Sequence, residues 1–204
     1  MIEYNIRQIQ LYEYGTVRKL DLVDCNGRYG INICSVGIDA RVGADVHKYS
    51  NIPLIGGATG YVVSLVVNVL KGVTQKFRVT IGDMVIDKKI TLACICNGRF
   101  YGGGFNPVPD ALPDDGILDS IIVEPVSRFK VAQIVGRYAS GRFREFPEIF
   151  KHYRGDGMEI ESERKFVVNI DGETMFTKKV VFKLIPKSLN FVFPSKMQYV
   201  NAKT

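Results

Sequence analysis

The sequence predicts a mainly β protein, a β-sandwich with helices inserted between its strands. Three observations predict it. Most of the chain alternates apolar and polar residues with the strand period of two. The dipeptides Asn26-Gly27, Gly82-Asp83 and Asp171-Gly172 punctuate these runs with residues that tolerate the positive φ of tight turns. Helical patterns are confined to a few short stretches between the runs. At 204 residues, 46% hydrophobic and 24% charged, the chain can bury a core without disulfides or structural metal. Disorder, collagen and low complexity are excluded as overall descriptions.

The elements follow in order. Ile6–Tyr12 and Thr16–Val23 read as short strands, and Tyr29–Val36 as one buried strand after the Asn26-Gly27 turn. Residues 37–60 are rich in Gly and read as irregular. A helix runs from about Thr59 to Lys71. Lys76–Ile81 and Met84–Ile86 flank Gly82-Asp83 as a hairpin, and Ile90–Cys96 is an apolar strand. Residues 97–116 form a long loop, and loops of that length in compact domains often carry function. Ile117–Val123 returns to strand, Ser127 N-caps a helix to Ala139, and Gly141 breaks it. A second helix is expected over Pro147–His152. Met158–Glu161, Lys165–Ile170, Val180–Ile185 and Leu189–Phe193 then read as separate strands. With no repeat and no linker, residues 1–204 are read as one domain.

Several classes are excluded. The four cysteines, Cys25, Cys34, Cys94 and Cys96, form no CxxC pair, and His47 and His152 are the only histidines. That inventory does not support zinc, and cysteines in apolar strands behave as small buried hydrophobes. A reduced, cytosolic compartment fits. The N-terminal residues MIEYNIRQIQLYEYG lack the apolar run of a signal peptide. Asn51–Leu70 is uncharged between Lys48 and Lys71, nearly the length of a membrane span. Pro53, Gly56, Gly57, Thr59 and Gly60 break its first half, so Tyr61–Leu70 reads as a buried helix. There is no P-loop, no GxSxG elbow and no HExxH.

Four features could carry chemistry. In the loop NGRFYGGGFNPVPDALPDDG, Gly102–Gly104 permit positive φ or close approach to a ligand, and Asp110, Asp114, Asp115 and Asp119 follow in quick succession. Carboxylates and free loop carbonyls suit magnesium or calcium, while Asp-Asp-Gly is also ordinary turn chemistry. Asp171-Gly172-Glu173 could present a general base, bind a ribose hydroxyl or a metal-bound water, or be a plain hairpin tip. Asp39, in Gly37–Ala40, ends a buried strand and could line a site or cap a helix. Arg128, Lys130, Arg137, Arg142, Arg144, Lys151 and Arg154 face only Glu145 and Glu148 within their segment, in a chain of net charge +6. Interleaved aromatics (Phe129, Tyr138, Phe143, Phe146, Phe150, Tyr153) would suit an anionic membrane or nucleic acid, or be core behind a solvated face. No nucleic-acid-binding motif accompanies the charge, so nucleic acid is not an expected partner.

In order, NICSVGIDA (32–40), Gly60-Tyr61, NGRFYGGGFNPVPDALPDDGILD (97–119), NIDGE (169–173) and LIPKSLNFVFP (184–194) resemble the C-terminal β-domain of bacterial diacylglycerol kinase-like lipid kinases. These are relatives of sphingosine and ceramide kinases, and more distantly of NAD kinases. The resemblance runs from about Leu20 to Pro194. It implies the second domain of the diacylglycerol kinase/NAD kinase-like fold, and phosphorylation of a lipid hydroxyl, such as that of diacylglycerol, by ATP. The family's magnesium site would fall on the Asp115 carboxylate and the carbonyls of Leu112 and Ile117. Glu173 matches the residue proposed as the base for the lipid hydroxyl, a position also argued to contact nucleotide, and Asp171 would hold the turn. The family's GGDGT-type phosphate loop and GTGNDFAR-like segment are absent from these residues. The expectation is therefore a chain without its nucleotide-binding domain, inactive until that domain is supplied. The expected setting is the inner face of an anionic membrane, where residues 51–70 would line an acyl groove. The alternative is a non-catalytic module binding membrane or protein, and exposed sandwich edges leave a homodimer open.

Overall fold

The computed structural model describes residues 15–50, 57–102 and 104–194. The expected strand Ile6–Tyr12 and residues 51–56 lie outside them, whereas Gly57, Thr59 and Gly60, expected to break the 51–70 segment, form the first turn of a helix. The strands are β1 (Thr16–Cys25), β2 (Arg28–Gly30), β3 (Ile33–Gly37), β4 (Gln75–Ile81), β5 (Met84–Ile90), β6 (Leu92–Cys96), β7 (Leu118–Val123), β8 (Phe150–Gly155), β9 (Gly157–Ile170) and β10 (Glu173–Phe193). The helices are α1 (Ile38–Ser50), α2 (Gly57–Lys71) and α3 (Arg128–Ala139). One sheet runs β2-β1-β10-β9-β3-β6-β7-β8, with β4 paired to β5 and β9, and its pairings are antiparallel. This is the mainly β, sandwich-like architecture with inserted helices that the alternation predicts.

The strand period sorts side chains onto two cores. One holds Val36, Ile95 and Val168 with Phe77 and Val79, because β4 and β5 fold over that face. The other holds Ile33, Cys94, Cys96 and Ile121 beneath α1 and α3. All four cysteines are buried free thiols, as hydrophobic strand positions suggest.

Five expectations are corrected. Residues 37–60 contain a helix, α1: Gly37, at φ 90, turns the chain out of β3, and the buried Ile38, Val42 and Asp45 share one helical face. The strand expected over Tyr29–Val36 breaks at Ile31-Asn32, whose amides bond to Asp171 instead of a ladder. The helix expected at Pro147–His152 is a 3₁₀ turn at Phe143–Glu145 followed by β8. There Phe150 and Tyr153 alternate between the two cores, and pairing with β7 outweighs local helix preference. The last two expected strands are one strand, β10, with irregular register near Lys178 and near Pro186–Ser188. Finally, α2 does not bury its apolar side alone. Ser64 and Asn68 are buried against α1, donating to the Val42 carbonyl and to Asp45, while Val66 and Leu70 are exposed. Among the described residues no helix is long and apolar enough to cross a membrane.

Candidate functional site

The expected site residues fall in two loops held by one network. Residues 169–173 join β9 to β10 as a tight turn, with positive φ at Asp171 and Gly172. The Asp171 carboxylate accepts from the amides of Ile31 (2.5 Å), Asn32 (3.1 Å) and Ile33 (2.8 Å). Asn169 Oδ1 accepts from the Gly172 amide at 2.8 Å. Every polar side chain of the turn except Glu173 is thus committed. The Glu173 side chain is exposed and makes no hydrogen bond or ion pair among the described residues. The Asp171 carboxylate is therefore spent on holding residues 31–33, while the Glu173 carboxylate stays open to solvent.

The second loop, 112–119, carries Asp115. Its Oδ1 accepts from the Ile117 amide at 3.1 Å, and Arg154 lies 3.5 Å from its Oδ2. Among the described residues the Leu112 and Ile117 carbonyls take part in none of the backbone bonds of this loop. One carboxylate with two unengaged carbonyls fits a hard cation that keeps several waters. Among the described residues no three His, Cys, Asp or Glu side chains converge as a metal cluster. Burial raises the Asp115 carboxyl above its ordinary range; the Ile117 amide pulls it back, Asp119 pushes it up again and Arg154 opposes that.

Asp21, Asn97 and Asp119 are site residues that the sequence does not single out by role. Asp21 is fully buried on β1 and ties the loop down: its Oδ2 accepts from the Gly116 amide, and its own amide donates to the Pro113 carbonyl. Its Oδ1 accepts from the Lys187 amide at 2.7 Å, which the irregular register of β10 brings within reach. Asn97 donates to the Asp21 carbonyl at 3.0 Å and to the Ile31 carbonyl at 2.7 Å. It thereby joins the Asp115 loop to the segment that holds Asp171. Asp119, 2% exposed, accepts from His152 (2.8 Å) and Arg154 (3.1 Å) through Oδ1, while its Oδ2 is buried without a hydrogen-bond partner among the described residues. The run of aspartates singles out Asp119 only as a possible cation ligand; its role in holding His152 and Arg154 gives no local signal, because those partners arrive from β8.

The basic segment is largely neutralised. Arg137 and Arg142 meet Glu145, Arg144 meets Asp110, and Arg154 meets both Asp115 and Asp119. Tyr138, Phe143 and Phe150 are core, and Phe129 is exposed. More open cationic side chains line a groove of about 810 Å³ between β4 and β9, where Arg164, Lys165 and Lys178 make no ion pair among the described residues.

Asp39 stands at an apolar pocket. Ile38, Val42, Leu65, Phe105, Ile134 and Tyr138 contribute to its wall, and Asp39 is one of its few polar groups. Ser35 donates to Asp39 at 2.6 Å, and Tyr101 bonds to it as well. The Tyr101 and Tyr138 hydroxyls are 3.0 Å apart, so one polar chain runs along an oily wall. Positive φ at Gly102 and Gly104 lets the loop bring Tyr101 and Phe105 together, ring centroids 5.8 Å apart. Burial raises the Asp39 carboxyl, and the bonds from Ser35 and Tyr101 offset part of that.

This arrangement has known counterparts. The family model described as "YegS C-terminal NAD kinase beta sandwich-like domain" matches residues 32–193. A Shewanella frigidimarina protein named "Probable lipid kinase YegS-like" is 27% identical over 186 residues, covering 91% of this chain and 59% of that protein. A Bacillus anthracis crystal structure described as "a putative diacylglycerol kinase" superposes with a TM-score of 0.64 at 21% identity, covering 87% of this chain and 57% of that one. A second from the same organism covers 93% of this chain and 57% of its own, with a TM-score of 0.59 at 22% identity. At these identities the structural likeness establishes the fold. The chain spans less than two thirds of the length of these relatives. With more than half of its residues matched by one family model, the chain belongs to the YegS C-terminal NAD kinase beta sandwich-like domain family, whose lipid kinase-named members are its sequence relatives.

Proposed function

We propose that this chain is the lipid-binding half of an ATP-dependent lipid kinase that phosphorylates a lipid hydroxyl such as that of diacylglycerol. The observation that carries the reading is the 169–173 turn, in which the other polar side chains are bonded and the Glu173 carboxylate alone is open. In the reaction the lipid oxygen forms its bond to the γ-phosphorus of ATP as the bond to ADP breaks. The hydroxyl proton passes to the Glu173 carboxylate. Phosphoryl transfer depends on positioning and charge neutralisation, so the rigid frame around Asp171 serves the chemistry directly. The apolar pocket beside Asp39 receives acyl carbons, and the Asp39–Tyr101–Tyr138 chain faces the polar end of the lipid. Asp115 with the Leu112 and Ile117 carbonyls would hold magnesium, which when bound supplies positive charge that braces the loop. The phosphate-binding groups come from a nucleotide-binding domain, and the enzyme works at the inner, anionic face of a membrane.

The test is a kinase assay with labelled ATP, magnesium and mixed micelles containing diacylglycerol. The chain is assayed alone and after fusion to the nucleotide-binding part of a relative. The expected result is no turnover alone, turnover in the fusion, and loss of turnover in Glu173→Gln. Turnover by the chain alone would overturn the divided site. A fusion that binds ATP and lipid yet transfers nothing would overturn the kinase reading. A non-catalytic membrane module is the second reading, favoured by the open basic groove between β4 and β9.

A further inference from the structure

We propose that α1 couples the apolar pocket to the turn carrying Glu173, through the contact of Gly43 with Asn169, so that the pocket's occupancy sets the geometry of the base. The inference rests on the lipid reading above for the identity of the occupant.

Two neighbouring faces of α1 meet two different parts of the site. Ile38, Asp39 and Val42 line the pocket. Gly43, the next residue round the helix, sits directly on Asn169. A Cβ placed at Gly43 would lie 2.3 Å from Asn169 Nδ2, a separation that no packed pair of heavy atoms tolerates. Asn169 has nowhere to go without cost. Its Oδ1 holds the Gly172 amide at 2.8 Å, and its backbone is paired with Ser35 of β3 and Thr174 of β10. Swinging the amide away releases Gly172, and Glu173 follows Gly172 directly. Ser35 adds a second link to the same helix, because its hydroxyl donates to Asp39 at 2.6 Å.

The pocket supplies the reason for movement. It holds about 60 Å³, space for a few atoms and far less than an acyl chain needs. Entry of a chain therefore displaces a wall. On its other side α1 is fastened to α2 and to the residue that follows it. Ser64 donates to the Val42 carbonyl at 2.9 Å, and Arg41 donates to the Gly72 carbonyl at 2.5 Å. The two helices are thus tied as a pair, and on its sheet side α1 meets the turn where Gly43 packs on Asn169. A helix pushed outward by lipid loosens that contact, and the turn, positive in φ at both Asp171 and Gly172, takes up the change.

Amide hydrogen exchange on this chain tests the coupling without any turnover. The chain is compared in detergent micelles with and without dioctanoylglycerol. Saturation should slow exchange across residues 38–42 and change the Gly172 amide by roughly five- to tenfold, the range for one hydrogen bond of ordinary net strength. Gly43→Ala should speed Gly172 exchange with no lipid present. Adding Asn169→Ser to it should recover slow exchange, because the shorter side chain clears the methyl while its hydroxyl still reaches the amide. If Gly43→Ala does not fold, Asn169→Ser alone serves: lipid should still protect 38–42 and no longer move Gly172. Protection of 38–42 in the natural sequence with an unchanged Gly172 would overturn the coupling. Lipid that protects neither segment would overturn the lipid reading of the pocket instead. The coupling would then stand or fall on whether Gly43→Ala alone moves Gly172.

Discussion

Asp171→Ala should destabilise the chain by about 4 kcal/mol, and about half of that comes from one amide. Asp171 accepts from Ile31, Asn32 and Ile33, but the three amides differ in their surroundings. Ile33 is 2% exposed, so its N–H loses a charge-assisted bond and gains no water, a cost of about 2 kcal/mol. The Ile31 and Asn32 amides lie at the surface and can turn to water, so each contributes only about 0.5 kcal/mol. Alanine must also hold φ 50, which costs a non-glycine residue without a short polar side chain about 1 kcal/mol. For a domain of this size the total corresponds to a fall in Tm of roughly 8–16 °C. Asp171→Gly removes the φ penalty and should recover about 1 kcal/mol of the loss. Asp171→Asn keeps one acceptor and the φ tolerance, and should lose about 1–2 kcal/mol. Urea unfolding with an unchanged m-value is the assay. Alanine and asparagine variants both within about 0.5 kcal/mol of the natural sequence would refute the reasoning, since Asp171 would then not be what holds residues 31–33.

Three further outcomes follow from the same geometry. Asp21→Ala strands the amides of Gly116 and Lys187, so a loss of about 2–4 kcal/mol and faster exchange at Gly116 are expected; unchanged Gly116 exchange would count against the anchoring role. Burial raises the Asp39 carboxyl, so its contribution to stability is full below the ordinary carboxylate value of 3.8 and is lost as pH rises through the folded value. Asp39→Asn should therefore raise Tm near neutral pH, with the gap closing as pH falls; a constant gap across the titration would remove burial of charge as the cause. Replacing Lys165 and Lys178 together by Gln should weaken binding to anionic vesicles at low salt roughly thirtyfold, about 1 kcal/mol per charge. Arg137→Gln with Arg142→Gln should do less, because Glu145 already offsets one of their two charges, and the reverse order would place the membrane surface at α3 and the turn after it.

Local patterning was readable where a residue's neighbours in sequence are also its neighbours in space. The Asn26-Gly27 and Asp171-Gly172 turns, the Ser127 cap and the Gly82-Asp83 hairpin are of this kind. α1 escaped notice because Gly37 and Gly43 read as breakers. In the structure the first makes a positive-φ turn and the second makes room for Asn169, and neither role shows in a local window. α2 misled in a different way: its apolar surface is obvious, and Leu65 and Val69 do pack on the core, but its most deeply buried side chains are the polar Ser64 and Asn68, held by Asp45 and the Val42 carbonyl on a neighbouring helix.

The sequence by itself determined the strand period, the turn positions and the two loops where the chemistry concentrates, because backbone sterics and alternation act over a few residues. Tertiary structure decided which groups in those loops are free to act. Asp171 and Glu173 are two residues apart and both acidic, yet residues 31–33 supply amides to one and, among the described residues, nothing bonds the other. Asp21 and Asp115 are far apart in the chain, and Asn97 with the irregular register of β10 makes them parts of one frame. Pairing across a sheet joins residues at any separation along the chain, so the commitment of each carboxylate is a property of the fold and not of its own segment.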